Sequence, residues 1–223
     1  IIPKNDEFFS EYDQNNRLEN ISNFTGSAGF AVILKNKNYL FVDGRYTIQA
    51  KKEAGKNFKI IELHKQLPYQ IIKNYKLGFD PKLFTSKKLM FYFSKHNKLI
   101  SIKKNLIDSV SKKNIKKTRP FFSLNKKIVG ESHLSKIRKV IDYLKKNKTD
   151  FLFISAPENV AWILNIRGYD NPTSPIPNCR LIIGKNKKLF LIAKEENCQK
   201  ILKENIIKKN QLIDLDNFEN FIN

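Results

Sequence analysis

At 223 residues, with 41% apolar and 12% aromatic side chains, the chain can bury one large core or two of about 100 residues each. No run of about 18 apolar residues is present, so no helical membrane span is expected, and the opening IIPKNDEFF shows neither a basic leader nor a long apolar segment. The formal net charge of +21 would ordinarily raise nucleic acid or an anionic membrane as partner, but the lysines recur in scattered pairs such as Lys51-Lys52, Lys112-Lys113 and Lys208-Lys209 rather than clustering with aromatics; weak, salt-sensitive polyanion binding is expected, and no specific nucleic-acid or membrane partner.

Ile1 to Pro3 reads as the tail of a strand, followed by a polar connector through Asp6, Glu7, Ser10 and Glu11; a segment ahead of it is expected. Arg17 to Asn23 leads into the Gly-rich turn Gly26-Ser27-Ala28-Gly29. Phe30 to Leu34 is an almost unbroken apolar run, Lys35 to Asn38 a hairpin turn, and Tyr39 to Val42 the return strand, broken by Asp43-Gly44 with Arg45-Tyr46 at its end. A helix follows from Thr47 to Gly55, with Ile48 and Ala54 available to the core. Further on come a strand at Phe58 to Leu63, a helix at Leu67 to Asn74, a strand at Lys76 to Phe79 stopped by Asp80-Pro81, a helix at Thr85 to Asn97 and a strand at Leu99 to Ile102. Ile107 to Lys117 is a basic, weakly amphipathic tail. Residues 1–123 are therefore expected to form a first α/β domain.

Leu124 to Glu131 reads as a connector and residues 124–223 as a second domain. Ser132 or Ser135 caps a helix to Asn147 with Ile137, Val140, Ile141 and Leu144 on one face. The strand Phe151 to Ser155 precedes a short helix opened by Pro157, in which Trp162 and Ile163 are expected in the core. Pro172, Pro175 and Pro177 hold an extended loop before strands at Leu181 to Ile183 and Leu189 to Ile192.

The two halves repeat. Ile21-x-Asn23-x-x-Gly26 recurs as Ile163-x-Asn165-x-x-Gly168, an offset of about 142; beyond the Pro-rich loop an offset of about 149 aligns Val32-Ile33-Leu34 with Leu181-Ile182-Ile183 and Leu40-Phe41 with Leu189-Phe190, and Ile60 to Leu63 matches Leu212 to Leu215. Two copies of one α/β fold follow. The first continues more than 50 residues past Leu63 and the second only eight past Leu215, so the chain is expected to be a segment of a longer protein.

The chemistry-bearing residues are few. Cys179 and Cys198 have neither framework nor metal-ligand spacing, which suits a reduced, cytoplasmic protein. His64, His96 and His133 are each isolated from any His/Asp/Glu cluster and read as structural or surface residues. The GSAG turn lacks the spacing and Lys-Ser/Thr ending of a phosphate loop, so Gly26, Gly29 and Gly168 read as backbone devices. Asp43 and Arg45 lie two positions apart on one face; they can form an ion pair closing the hairpin end, or Asp43 can orient Arg45 toward a ligand.

At SEY (Ser10-Glu11-Tyr12), FTGSAG (Phe24 to Gly29), DGRYTIQA (Asp43 to Ala50), VGES (Val129 to Ser132) and ENVAWILNIRG (Glu158 to Gly168), the chain resembles the N-terminal half of the aminopeptidase P family, the Xaa-Pro aminopeptidases of the creatinase/prolidase superfamily. The resemblance implies two tandem creatinase N-terminal-like domains, each a mixed sheet flanked by helices, ahead of a pita-bread catalytic domain absent from this sequence. It implies peptide substrates with proline at the second position, homodimers, and two divalent metals, usually manganese, in that catalytic domain, with no metal and no hydrolytic activity in this segment. Arg45 matches the family arginine that reaches toward bound peptide, with Asp43 supporting it. Arg167 is expected at an interface and not in catalysis. The alternative is a metal-free creatinase-like pseudoenzyme that binds peptides or proteins.

Overall fold

The computed structural model describes residues 1–4, 16–110, 119–170 and 174–222. The connector of Asp6 to Glu11, the Ser10-Glu11-Tyr12 motif, most of the basic tail and Pro172 lie outside the described residues. The described residues fall into two compact units, one within residues 1–110 and one within residues 119–222.

In the first unit, β1 (Ile2–Pro3), β2 (Gly29–Ile33), β3 (Asn38–Val42) and β4 (Lys59–Glu62) form a sheet in that spatial order. The first two pairings are antiparallel and β3–β4 is parallel, with Phe30 opposite Phe41 and Val42 beside Glu62. Alternation splits the apolar residues between two faces. Phe30, Val32, Phe41 and Ile61 face one core, closed by α3 (Pro68–Ile71), β5 (Lys76–Phe79), α4 (Ser86–Phe93) and β6 (Lys98–Ser101), whose Ile72, Leu77, Leu89 and Phe93 are buried there. Ala31, Leu40 and Val42 face the other, under α1 (Arg17–Ser22) and α2 (Thr47–Ala54). A last helix, α5 (Leu106–Val110), returns to α1, where Asp108 takes two hydrogen bonds from the buried Arg17 guanidinium, at 2.7 and 3.0 Å.

Three expectations change here. On α2 the buried face is Ala50 and Ala54, four residues apart; Ile48 projects about 200° away from Ala50 and is 85% exposed. The helix expected from Leu67 to Asn74 is only α3, opened by Pro68, with the Gln70 side chain accepting from Leu67 N at 2.6 Å and Asn74 turning left-handed at φ 64°. Finally, α4 starts after its Thr85 cap but stops at Phe93, and Asn97 donates its side-chain amide to the Ile72 and Phe93 carbonyls.

The second unit takes in residues the sequence assigns to the first domain and the connector. Phe121 is fully buried in its core and β7 (Phe122–Ser123) pairs with β9 (Ile166–Arg167). Within the expected connector, α6 (Lys126–Val129) is capped by Asn125 and ended by Gly130 at φ 78°, a conformation that favours glycine. Ser132 caps α7 (His133–Lys146), accepting from Ser135 N, and Ile141 and Leu144 are buried. Between β8 (Phe151–Ile154) and β9 runs α8 (Pro157–Leu164). It buries Val160, Ile163 and Leu164 on one face and leaves Trp162 58% exposed on the other, so Trp162 is not a core residue. β10 (Arg180–Gly184), β11 (Leu189–Ile192), α9 (Glu195–Lys203), β12 (Leu212–Ile213) and α10 (Phe218–Ile222) complete the unit.

Its sheet, β8-β10-β11-β12, is antiparallel, antiparallel and parallel, the same sequence of pairings as β1-β2-β3-β4. The repeated asparagines do the same work: Asn23 (φ 60°) and Asn165 (φ 56°) are the left-handed caps that end α1 and α8. The hairpin turns differ, Leu34 to Lys37 in one and the longer Gly184 to Lys188 in the other, so a single offset of 149 cannot hold both strands in register. One face of this sheet is packed against α7, α8 and α9; on the other, Phe153 stacks on Phe218 and Phe190 meets Phe221, both of α10, and Phe151 and Phe153 remain about half exposed.

Phe41 stacks on Phe30 at 5.0 Å and is fully buried, so Phe41→Ala should destabilise the chain by about 3–5 kcal/mol, whereas Ile48→Ala should change stability by no more than about 0.5 kcal/mol. Urea unfolding of the two variants checks the pair, and a larger loss at Ile48 would contradict the packing of α2. Cys179 and Cys198 are free and buried in the second core; burial pushes the Cys198 thiol up to about 12 and Cys179 well above the ordinary thiol range. A thiol reagent at pH 8 should therefore label them only after denaturant is added, and prompt labelling of the folded chain would show this core to be open.

Candidate functional site

Because β3 and β4 run parallel, their carboxyl ends emerge at one edge of the first sheet, and the residues that follow them meet there. Asp43 leaves β3 in extended conformation and caps a single 3₁₀ turn, Gly44–Tyr46. Its Oδ1 accepts from the Arg45 backbone N–H at 2.9 Å and from Arg45 Nε at 2.9 Å. The guanidinium beside it holds the Asp43 carboxyl below the usual carboxylate range. Both alternatives open at the sequence level thus begin from a real contact: the ion pair exists. It ties down only the Nε edge. The Arg45 side chain is 74% exposed, and its terminal nitrogens make no hydrogen bond among the described residues.

The turn is braced from three sides. The Tyr46 ring lies 5.6 Å from the Arg45 guanidinium, its hydroxyl is 2.6 Å from Ser27 Oγ, and its edge packs on Phe24. Thr47 Oγ1 donates to the Gly44 carbonyl at 3.0 Å. After β4, His64 Nε2 lies 3.3 Å from Glu62 Oε2, and Lys65 Nζ is 2.8 Å from the same oxygen. Lys65 holds the Glu62 carboxyl below its ordinary range, and a Thr47 hydrogen bond adds to this. The Gly44 backbone lies close against the His64 ring: a Cβ there would come within 2.8 Å of His64 Cε1, and the exposed ring would have to shift. On the loop ahead of β2, Glu53 accepts from both Thr25 N and Thr25 Oγ1 at 2.9 Å, while Gln49 reaches both residues. The FTGSAG loop and the DGRYTIQA turn-and-helix are therefore one hydrogen-bonded assembly.

Chemically, this edge can present fixed guanidinium donors to a carbonyl or carboxylate. It holds no nucleophile–base pair: His64 is paired with a carboxylate and open to solvent. Among the described residues no group of three His, Cys, Asp or Glu side chains is placed to hold a metal ion. A concavity of about 530 Å³, lined by Lys35, Lys37, Lys56 and Lys59, lies at the opposite end of β3 and belongs to the solvated basic surface. Sequence reasoning singled out Asp43 and Arg45 but missed Ser27, Tyr46, Glu62 and His64, which come from three segments; the parallel pairing of β3 with β4 is the signal that gathers them.

Comparisons with known proteins agree with this architecture. Residues 12–110 and residues 111–223 each match a family described as the Creatinase/Prolidase N-terminal domain. A protein of Laccaria bicolor named "Probable Xaa-Pro aminopeptidase P" is 34% identical over 214 residues, covering 86% of this chain and 32% of the relative. Xaa-Pro aminopeptidase 1 of Dictyostelium discoideum is 31% identical over 220 residues, covering 86% and 34%, and Xaa-Pro aminopeptidase 2 of Mus musculus is 34% identical over 214 residues, covering 86% and 31%. The chain spans about one third of the length of the curated relatives it matches. In fold it is similar to a solved X-prolyl aminopeptidase from Caenorhabditis elegans, described as a cytosolic enzyme with a di-nuclear active site, with a TM-score of 0.83 at 23% identity over 99% of this chain and 38% of that one. With both halves matched and the same sheet built twice, the chain belongs to the creatinase/prolidase family as a tandem pair of its N-terminal domains.

Proposed function

We propose that this chain is the non-catalytic N-terminal portion of an Xaa-Pro aminopeptidase, a metallo-exopeptidase that releases the residue preceding proline, and that it contributes Arg45 to peptide recognition. The observation that carries the reading is the guanidinium itself: anchored through Nε by Asp43, braced by Tyr46, and presenting its remaining donors to solvent at the carboxyl edge of β3 and β4. In open α/β sheets that edge is where ligands are received. A peptide carbonyl or terminal carboxylate is the partner such a planar set of donors fits. Asp43 is the positioning residue, holding the fork in one orientation before substrate arrives and so lowering the ordering cost of binding.

On this reading the chain itself carries out no hydrolysis: the two divalent metals, with manganese the proposed ion, belong to a catalytic domain outside residues 1–223, and the present chain shapes access to that site and supports a homodimer. The C. elegans enzyme is described as cytosolic, and among the described residues no helix is long and apolar enough to cross a membrane; both fit a cytoplasmic location for this protein.

In a protein that joins this chain to its catalytic domain, Arg45→Ala should raise KM for an Xaa-Pro peptide roughly tenfold while kcat falls much less, because a binding contact is removed and the reacting atoms are untouched. Arg45→Lys should recover part of the loss, and Asp43→Asn should act in the same direction but more weakly. Steady-state kinetics with a series of Xaa-Pro peptides decides it; an unchanged KM in Arg45→Ala would leave the Asp43–Arg45 pair as a purely structural closure of the hairpin.

A further inference from the structure

The second unit contains a cavity of about 270 Å³ between α6, α7 and the α8–β9 junction, and its lining is divided by chemistry. Leu124, Ile128, Val129 and the ring of Trp162 form an apolar wall; Lys136, Asn165 and Arg167 supply the polar part. Two cations and no carboxylate line it. From this geometry we infer that the cavity is a binding site for a carboxylate carried on an apolar group, of the size of one amino-acid residue.

The argument starts from Lys136. Lysines are almost never fully buried without a charged partner, yet this one, on the inner side of α7, is only 4% exposed. Its ammonium donates to the Trp162 carbonyl at 2.7 Å and to Asn165 Oδ1 at 2.7 Å, and sits 4.0 Å from the centre of the Trp162 ring. Every one of those partners is uncharged. Asn165 cannot turn away, because its Nδ2 donates to the Glu131 carbonyl at 2.8 Å and its backbone is the left-handed end of α8. The nearest carboxylate, Glu131, is already engaged by Ser135 Oγ at 2.6 Å and by Lys139 Nζ at 2.9 Å, so its charge is shared with another lysine. Burial pushes the Lys136 ammonium below the ordinary lysine range and the Arg167 charge acts in the same direction, with Glu131 opposing. Burying a cation among neutral acceptors is costly, and an anion in the adjoining space relieves that cost.

Arg167 gives the site its donors. Nη1 is fixed by the Ile166 carbonyl at 2.8 Å and the Ala161 carbonyl at 3.3 Å, whereas Nε and Nη2 make no hydrogen bond among the described residues. A role for Lys136 in tying α7 to α8 explains its two hydrogen bonds but neither the second cation on the same cavity nor the open edge of that guanidinium. The ligand class follows from the remaining walls. Ile128 and Trp162 are 74% and 58% exposed, and such a rim favours a ligand with an apolar body over phosphate, whose whole surface is hydrated. The volume falls below the roughly 300–1,000 Å³ of pockets that enclose larger ligands, so it suits a single residue: a peptide's apolar C-terminal residue or an acidic side chain.

Trp162 is the only tryptophan in the chain, so its fluorescence reports this cavity alone. The test is to titrate the chain at constant ionic strength with N-acetyl-leucine, with its uncharged analogue N-acetyl-leucinamide, and with inorganic phosphate. A saturable response to the carboxylate is expected, at least tenfold weaker for the amide and for phosphate. N-acetyl-glutamic acid α-amide separates the two sources: tighter binding than N-acetyl-leucine assigns the site to an acidic side chain, and weaker binding to a chain terminus. Arg167→Gln, on the partly exposed side of the cavity, should weaken the carboxylate at least tenfold with an unchanged circular dichroism spectrum. No saturable response to either carboxylate, equal affinity for the amide, or full affinity in a folded Arg167→Gln would overturn the assignment; the comparison of acid with amide needs no variant and stands even if that one does not fold.

Discussion

The parallel pairing of β3 with β4 is the constraint on which the first unit turns. An antiparallel partner would have placed the end of β3 beside the start of its neighbour; the parallel ladder from Tyr39 and Lys59 to Val42 and Glu62 instead brings two chain exits to one edge. Asp43, Arg45 and Tyr46 arrive from one exit and Glu62, His64 and Lys65 from the other, close enough that the Gly44 backbone lies against the His64 ring. The crossover connection is α2, whose Glu53 and Gln49 hold Thr25 and hence the loop leading into β2. One ladder therefore fixes the strand ends, the helix and the glycine-rich loop together.

How much of this was legible depended on whether a residue's fate was decided locally. The β2–β3 hairpin was, because an apolar run, a polar turn and a second run admit few alternatives; Lys76 to Phe79, bounded by Asp80-Pro81, was another such case. The paired motif around Asn23 and Asn165 was legible as a repeat, although its purpose, a left-handed helix end in each unit, required the backbone. What failed was orientation on short helices. Ile48 and Trp162 are large and apolar, but on helices of eight residues the buried face is set by what packs against it, and in both cases smaller or branched neighbours took that face. The boundary between the halves shows the same limit: Leu124 to Glu131 reads as a connector, yet Phe121 just ahead of it is buried in the second core and Leu124 N donates to the Asn165 carbonyl. Of the Arg45 site, Asp43 and Arg45 share one legible stretch, whereas the residues that β4 brings carry no local signal; nothing in the sequence sets Lys136 apart from the other lysines.

The two cationic sites sit at opposite ends of the solvation scale. Arg45 is held by a carboxylate two residues away and stays in water, where its charge is screened and its value is directional. Lys136 is removed from water and surrounded by dipoles, so its field is less screened and reaches further into the cavity it lines. Among the basic side chains of the described residues, most of them at the surface, these two environments are distinguished by what surrounds the charge rather than by the charge itself.

The two sheets also differ in what lies on their second face. The first is sandwiched between two cores, while the second carries Phe151, Phe153 and Phe190 on a face where Phe153 and Phe190 meet α10 and Phe151 and Phe153 stay about half exposed. An exposed aromatic strip favours association, and a formal net charge of +21 opposes it by repulsion between like copies at low ionic strength. The Debye length shrinks from about 10 Å at 0.1 M salt to about 3 Å at 1 M, removing that repulsion while leaving the strip intact. For this chain, salt is consequently a colloidal variable: it weakens the repulsion between like-charged copies without altering the apolar surface they carry.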